Sequence, residues 1–97
     1  MDLATFRKTL EGDEPPAVSL ALQALWQEAR GEWDAAHELT NQEKGPDGAW
    51  VHAYLHRVEG DLSNADYWYA RAGRERPQES TAQEWDSIAR ELLERGR

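Results

Sequence analysis

The sequence predicts an all-α fold of about six helices in one domain. Apolar residues recur three and four positions apart between Gly, Pro and Asp residues, which is the spacing of one helix face. No segment alternates polar and β-branched residues in the way of a half-buried strand. The chain has 97 residues and no long linker, so we expect a single domain over residues 1–97.

The first two helices are read from apolar stripes and breaker residues. A short N-terminal helix is predicted over about residues 2–11, with one apolar face: Leu3, Phe6 and Leu10. A second helix is predicted from about Ala17 to Arg30. Pro15 and Pro16 suit its first turn because the backbone N–H that proline lacks has no helical partner there. Gly31 ends this helix.

Four further helices follow. The spacing predicts them over about Trp33 to Gln42, Asp47 to Glu59, Leu62 to Ala72, and residues 81–95, with Pro46 opening the second of these four. The last helix has a one-sided apolar face: Trp85, Ile88, Ala89, Leu92 and Leu93. Two overlapping capping boxes can begin it: Ser80 with Gln83, and Thr81 with Glu84.

An internal repeat organises the middle of the chain. The segments GEWDAA at 31–36 and GDLSNA at 60–65 share the form Gly-acid-apolar-x-x-Ala, 29 positions apart. Each unit is a helix, a glycine turn and a second helix with a small residue at a close contact. The repeat therefore predicts two helical hairpins, over about residues 17–42 and 47–73, with the C-terminal helix covering the open end.

The second hairpin carries a family resemblance. Its segment GDLSNADYWYARAGRERP resembles the second half of a tetratricopeptide repeat, with matching residues in register: Gly60, Ala65, Tyr69, Ala72 and Pro77. Along nearly its whole length the chain also resembles a family of small, uncharacterised bacterial proteins with a tetratricopeptide-like fold. The resemblance implies stacked helical hairpins and brings no known activity with it.

Composition and charge exclude several classes of partner. The chain has 11 Lys and Arg against 19 Asp and Glu, a net charge of −8, so we expect neither nucleic acid nor an anionic membrane as its partner. It has no cysteine, hence no disulfide and no thiolate metal site. No run approaches 18 apolar residues and the N-terminus lacks a signal-peptide core, so we expect a soluble, cytoplasmic protein.

No motif in the sequence indicates catalysis. There is no Gly-x-Ser-x-Gly and no cysteine nucleophile, and the GPDG loop lacks the Lys-Ser/Thr ending of a phosphate cradle. The many carboxylates are scattered over the predicted helix faces, where such groups ordinarily serve only to solvate the protein surface. We therefore expect a protein that is not an enzyme and has no cofactor.

The candidate binding residues lie in the middle of the chain. Residues 52–76 contain four basic and four acidic residues, a local balance in an acidic protein. Tyr and Trp are favoured at binding surfaces because one edge packs while the other stays wet. We predict a module that binds a protein or short peptide, or associates with itself, through these residues: Trp50, His52, His56, Arg57, Tyr67, Trp68 and Arg71.

A metal or small-ligand site is the alternative function. His52 and His56 are four positions apart, so they share one helix face, and Glu59 follows on the same side. His37 on the third helix could approach them. Three imidazoles, or two with a carboxylate, suit a borderline cation such as zinc. Equally, both histidines could be hydrogen-bonded packing residues.

Overall fold

The structure is a computed structural model that describes residues 1–95, and it confirms an all-α fold of six α-helices. These are α1 (Leu3–Lys8), α2 (Leu20–Ala29), α3 (Trp33–Gln42), α4 (Pro46–Glu59), α5 (Leu62–Arg71) and α6 (Thr81–Arg95). A 3₁₀ turn, Thr9–Glu11, extends α1. Residues 1–95 contain no strand, and none of their helices combines the length and apolar character needed to cross a membrane.

The predicted start of the second helix is wrong by three residues. Helix α2 begins at Leu20 because the Ser19 side chain accepts a hydrogen bond from the backbone N–H of Leu22, at 3.3 Å. Ahead of it the backbone N–H of Val18 donates to the carbonyl of Pro16, at 2.9 Å. The two prolines therefore belong to the approach to the helix and not to its first turn.

Both hairpins close with the same glycine turn. In each turn two backbone N–H groups donate to carbonyls near the helix end: Glu32 to Gln27 and Gly31 to Glu28 after α2, Asp61 to His56 and Gly60 to Arg57 after α4. Gly31 and Gly60 have φ of 82° and 90°, a left-handed conformation that favours glycine. Every bonded pair in the second turn lies 29 positions after its counterpart, so the sequence repeat corresponds to a repeated backbone structure.

Helix α4 lies at the centre of the packing. It contacts α2, α3, α5 and α6, and every residue from 48 to 56 is buried. Two of those buried residues are histidines, His52 and His56, which need polar partners inside the protein. The neighbouring helices supply these partners.

The first turn of α4 passes very close to the residues before it. A Cβ at Gly48 would lie 2.2 Å from the carbonyl oxygen of Glu43 and 3.0 Å from its Cβ. Because the nearest atom is backbone, it cannot move aside as a side chain does. Gly48 therefore allows the chain to turn tightly from α3 into α4.

We expect Gly48→Ala to destabilise the protein. Alanine ordinarily favours a helix interior by about 0.5–1 kcal/mol, but overpacking costs about 1–3 kcal/mol, so the sign of the usual effect should reverse. Gly12→Ala is the matched control, because the nearest atom to a Cβ there is at 3.4 Å, an ordinary contact. Urea unfolding of both variants tests this, and equal stabilities would contradict the close approach.

Helix α6 is fixed to α4 and α5 by a buried ion pair. Arg57 Nη1 lies 2.7 Å from Glu84 Oε1, and the Tyr69 hydroxyl donates to Glu84 Oε2 at 2.6 Å. The Glu84 side chain is only 1% exposed. Ser80 and Gln83 form the predicted capping box at the start of α6, at 3.0 and 3.1 Å, which leaves Glu84 for the core.

Glu84→Ala should destabilise the protein by about 3–5 kcal/mol, because it leaves the Arg57 guanidinium largely buried without its counter-charge. Asp86→Ala, two positions along the same helix, removes the exposed pair with Arg7 and should cost less than about 1 kcal/mol. Chemical denaturation measures both. Similar losses in the two variants would show that the buried pair has no special role.

Candidate metal centre

Three histidines come together where α3 packs against α4. One ring nitrogen from each of His37, His52 and His56 lies within 4.8 Å of the other two. His37 belongs to α3, and the other two belong to α4. The Nε2 atoms of His37 and His52 are 3.0 Å apart. We call these three residues the histidine cluster.

The helical period aligns the residues that build the cluster. His52 and His56 are one turn apart on α4, and Trp33 and His37 are one turn apart on α3. The Trp33 indole stacks on His37 with ring centroids 5.0 Å apart and meets His56 edge-on at 5.8 Å. Its Nε1–H donates to the Leu55 carbonyl at 2.9 Å, so the indole is fixed between α3 and α4.

Helix α5 covers the cluster from another direction. The Trp68 indole stacks on the His52 ring at 3.9 Å between centroids. The Arg71 guanidinium lies over the Trp68 ring at 5.3 Å. Tyr67 packs edge-on against Trp68, and 56% of it is exposed to solvent. The cluster is thus placed between two indoles, one from each hairpin.

His56 has polar partners that orient its ring. Its Nδ1 lies 2.6 Å from Glu59 Oε2, and its Nε2 lies 3.3 Å from the amide nitrogen of Asn64. The carboxylate favours a proton on Nδ1, which leaves the Nε2 lone pair free to accept from Asn64 or to bind a cation. A histidine oriented by a carboxylate is the usual outer arrangement of a metal ligand.

Burial disfavours the charged forms of His37 and His52. It lowers the pKa of His52 to about 4, and the positive charge on His37 or His56 adds to this effect. Burial likewise lowers the pKa of His37, with a further contribution from His56. At neutral pH His37 and His52 are therefore neutral imidazoles, the form that coordinates metals.

The geometry approaches that of a tetrahedral site. Two histidine nitrogens at about 2.0–2.1 Å from zinc are about 3.3 Å apart when the angle between them is tetrahedral. The observed separation of 3.0 Å between the His37 and His52 Nε2 atoms differs from this by a few tenths of an ångström. The His37–His52 pair is also at hydrogen-bonding distance, and His56 lies within 4.8 Å of both, so an ion would require rotations of the side chains that bring all three nitrogens to it.

The metal set predicted from sequence was His52, His56 and Glu59, and the structure groups the residues differently. His37 joins the two α4 histidines, whereas Glu59 contacts Nδ1 of His56. Glu59 and His56 also form a second group with Asp61, in which both acids are exposed. Exposed acids are common without a metal, so the histidine cluster is the stronger candidate.

The other predicted binding residues separate into buried and exposed sets. Trp50 is buried beneath Arg74, whose guanidinium carbon is 3.3 Å from the ring centroid. Arg57 is engaged with Glu84 in the core. Tyr67 and Arg71 are exposed and Trp68 is half-buried, so these three form the accessible part of the predicted surface. We call them the aromatic patch.

A groove connects the aromatic patch with the cluster. It has a volume of about 300 Å³ and lies between the α3–α4 connection and α5. Residues from both sides line it: Thr40, Asn41, Glu43, Lys44, Gly45, Pro46, Ala49, His52, Trp68 and Arg71. His52 is the member of the cluster that reaches this groove.

Trp33 and Asn64 were missed in the sequence. The spacing of Trp33 and His37 parallels that of His52 and His56, and two such pairs on consecutive helices were the available signal. Asn64 carried no comparable signal, because its role depends on how α5 packs against α4.

Comparison with protein-family models, curated proteins and solved structures finds no match for this chain. The tetratricopeptide resemblance therefore stays a prediction from the sequence. The histidine cluster has to be judged on its own chemistry.

Proposed function

We propose that the protein binds one divalent transition-metal ion, of the zinc type, at His37, His52 and His56. The observation that carries this proposal is the convergence of three ring nitrogens within 4.8 Å of one another. Three imidazoles without a thiolate suit zinc, cobalt, nickel or copper better than calcium or magnesium, which prefer oxygen ligands.

The surroundings of the cluster support this proposal. Burial keeps His37 and His52 neutral, so an ion need not displace their protons from a charged state. Glu59 orients His56 from outside, and Trp33 fixes the position of the His37 ring. The ligands are therefore held in place before a metal arrives, which reduces the entropy lost on binding.

Zinc and cobalt(II) should each bind at one ion per chain and raise the melting temperature. At a free metal concentration of 100 times the dissociation constant, binding stabilises the folded state by about 2.7 kcal/mol. Calorimetry and thermal unfolding measure both effects. Loss of the shift in the His52→Ala, His56→Ala double variant is expected, and no shift in the unmodified protein would refute the proposal.

Two single variants distinguish the competing groups. His37→Gln removes a ligand from the histidine cluster at a half-buried position and should abolish tight binding. Asp61→Asn alters only the exposed group formed with His56 and Glu59, and asparagine retains the helix-capping function of Asp61. The opposite result, with binding lost in Asp61→Asn and kept in His37→Gln, would assign the metal to the group formed by His56, Glu59 and Asp61.

The aromatic patch supports a second candidate function, recognition of a protein or short peptide. Tyr67 is the most exposed large apolar residue among those described, and Arg71 lies 5.7 Å from its ring centroid. An exposed tyrosine beside an arginine offers apolar contact and a charge for an acidic group. The patch is small, so it suits a short motif better than an extended ligand.

The double substitution Tyr67→Ser, Arg71→Glu should remove specific partners from a pull-down without altering the melting temperature, because both side chains are exposed. Arg90→Glu, on the exposed side of α6, is a control for the charge change. Light scattering of the same proteins reports self-association through this surface. An unchanged set of partners and an unchanged mass would argue against the patch.

A further inference from the structure

The histidine cluster supplies three ligands and no fourth. Among the described residues, no further His, Asp or Glu brings a ligand atom within 4.8 Å of all three rings, and the chain has no cysteine. A tetrahedral ion held by three protein ligands keeps a position for water or an external ligand. The Asn64 amide lies next to His56, but amides are not among the usual ligands of zinc.

The groove gives the open position a route to solvent. His52 lines it, together with Trp68 and Arg71. Trp33 covers His37 and His56 and does not line the groove. A molecule in the groove would therefore reach the ion beside His52.

The charges of the groove favour an anion. Lys44 and Arg71 line it, and neither forms an ion pair within residues 1–95. Glu43 lines the groove too. Burial raises the pKa of its carboxyl group and the negative charge of Asp47 raises it further, so its charged form is disfavoured. A divalent ion held by the three histidines would add two positive charges at the inner end of the groove.

We infer that the bound metal ion keeps one exchangeable position facing the groove, and that this position takes a carboxylate group. This inference rests on the proposed metal binding. The carboxylate oxygen would replace a water molecule on the ion, while Lys44 and Arg71 raise the local concentration of anions. Such a group occurs on small organic acids and at the C-terminus of a peptide.

Cobalt(II) provides the test because its visible absorption reports coordination. The cobalt-loaded protein is titrated with acetate, with acetyl-Gly-Gly, and with acetyl-Gly-Gly amide, which lacks the carboxylate. We expect saturable spectral changes with the first two ligands and none with the amide. If acetyl-Gly-Gly binds more tightly than acetate, the ligand is a peptide C-terminus. If the two bind equally, the ligand is a small organic acid.

A charge-matched pair of variants tests the role of the groove. Lys44→Gln with Arg71→Gln removes two positive charges near the ion, so it should weaken carboxylate binding about tenfold and should not weaken cobalt binding. Lys8→Gln with Arg90→Gln removes the same charge outside the groove and should leave carboxylate affinity unchanged.

The outcomes separate this inference from the proposed function. If cobalt fails to bind, or binds independently of His37, the metal proposal fails and the inference with it. If cobalt binds through His37 but no carboxylate changes its spectrum, metal binding stands and the open position is refuted. Equal carboxylate affinity in both double variants would refute the part assigned to Lys44 and Arg71.

Discussion

The burial of α4 on every side is the constraint on which the rest of the structure depends. A helix enclosed by four others needs small residues at close contacts and partners for each polar side chain. Gly48 meets the first need where α3 turns into α4, and Ala53 and Ala65 are fully buried. The polar side chains of α4 obtain partners from α2, α3, α5 and α6, so these partners tie the hairpins and the last helix together.

Arg57 and the two histidines of α4 meet the need for buried polar partners in different ways. Arg57 pairs with the Glu84 carboxylate, which also accepts a hydrogen bond from the Tyr69 hydroxyl, so the arginine charge is neutralised inside the protein. His52 avoids charge because burial lowers its pKa, and one ring nitrogen from each of His37, His52 and His56 lies within 4.8 Å of the other two. The first set is complete within the chain. The second retains lone pairs in a confined space, which is why it has potential for chemistry.

The helices were readable from the sequence because breakers and apolar spacing are local signals. The glycine turns followed from the repeat, whereas the start of α2 was misjudged because the Ser19 cap competed with the preceding prolines. The two α4 histidines could be placed on one face by their spacing. Whether His37 or Glu59 joins them as a third ligand was left open by the sequence, because the position of His37 depends on how α3 packs against α4.

The five tryptophans divide according to this architecture. Trp26, Trp50 and Trp85 are buried, whereas Trp33 and Trp68 are half-buried and lie directly against imidazole rings of the cluster. Two indoles stacked on imidazole rings emit in a way that depends on the state of those rings. The protein thus carries an intrinsic fluorescent reporter of the histidine cluster, in which a quenching ion would act most strongly on the two indoles that touch it.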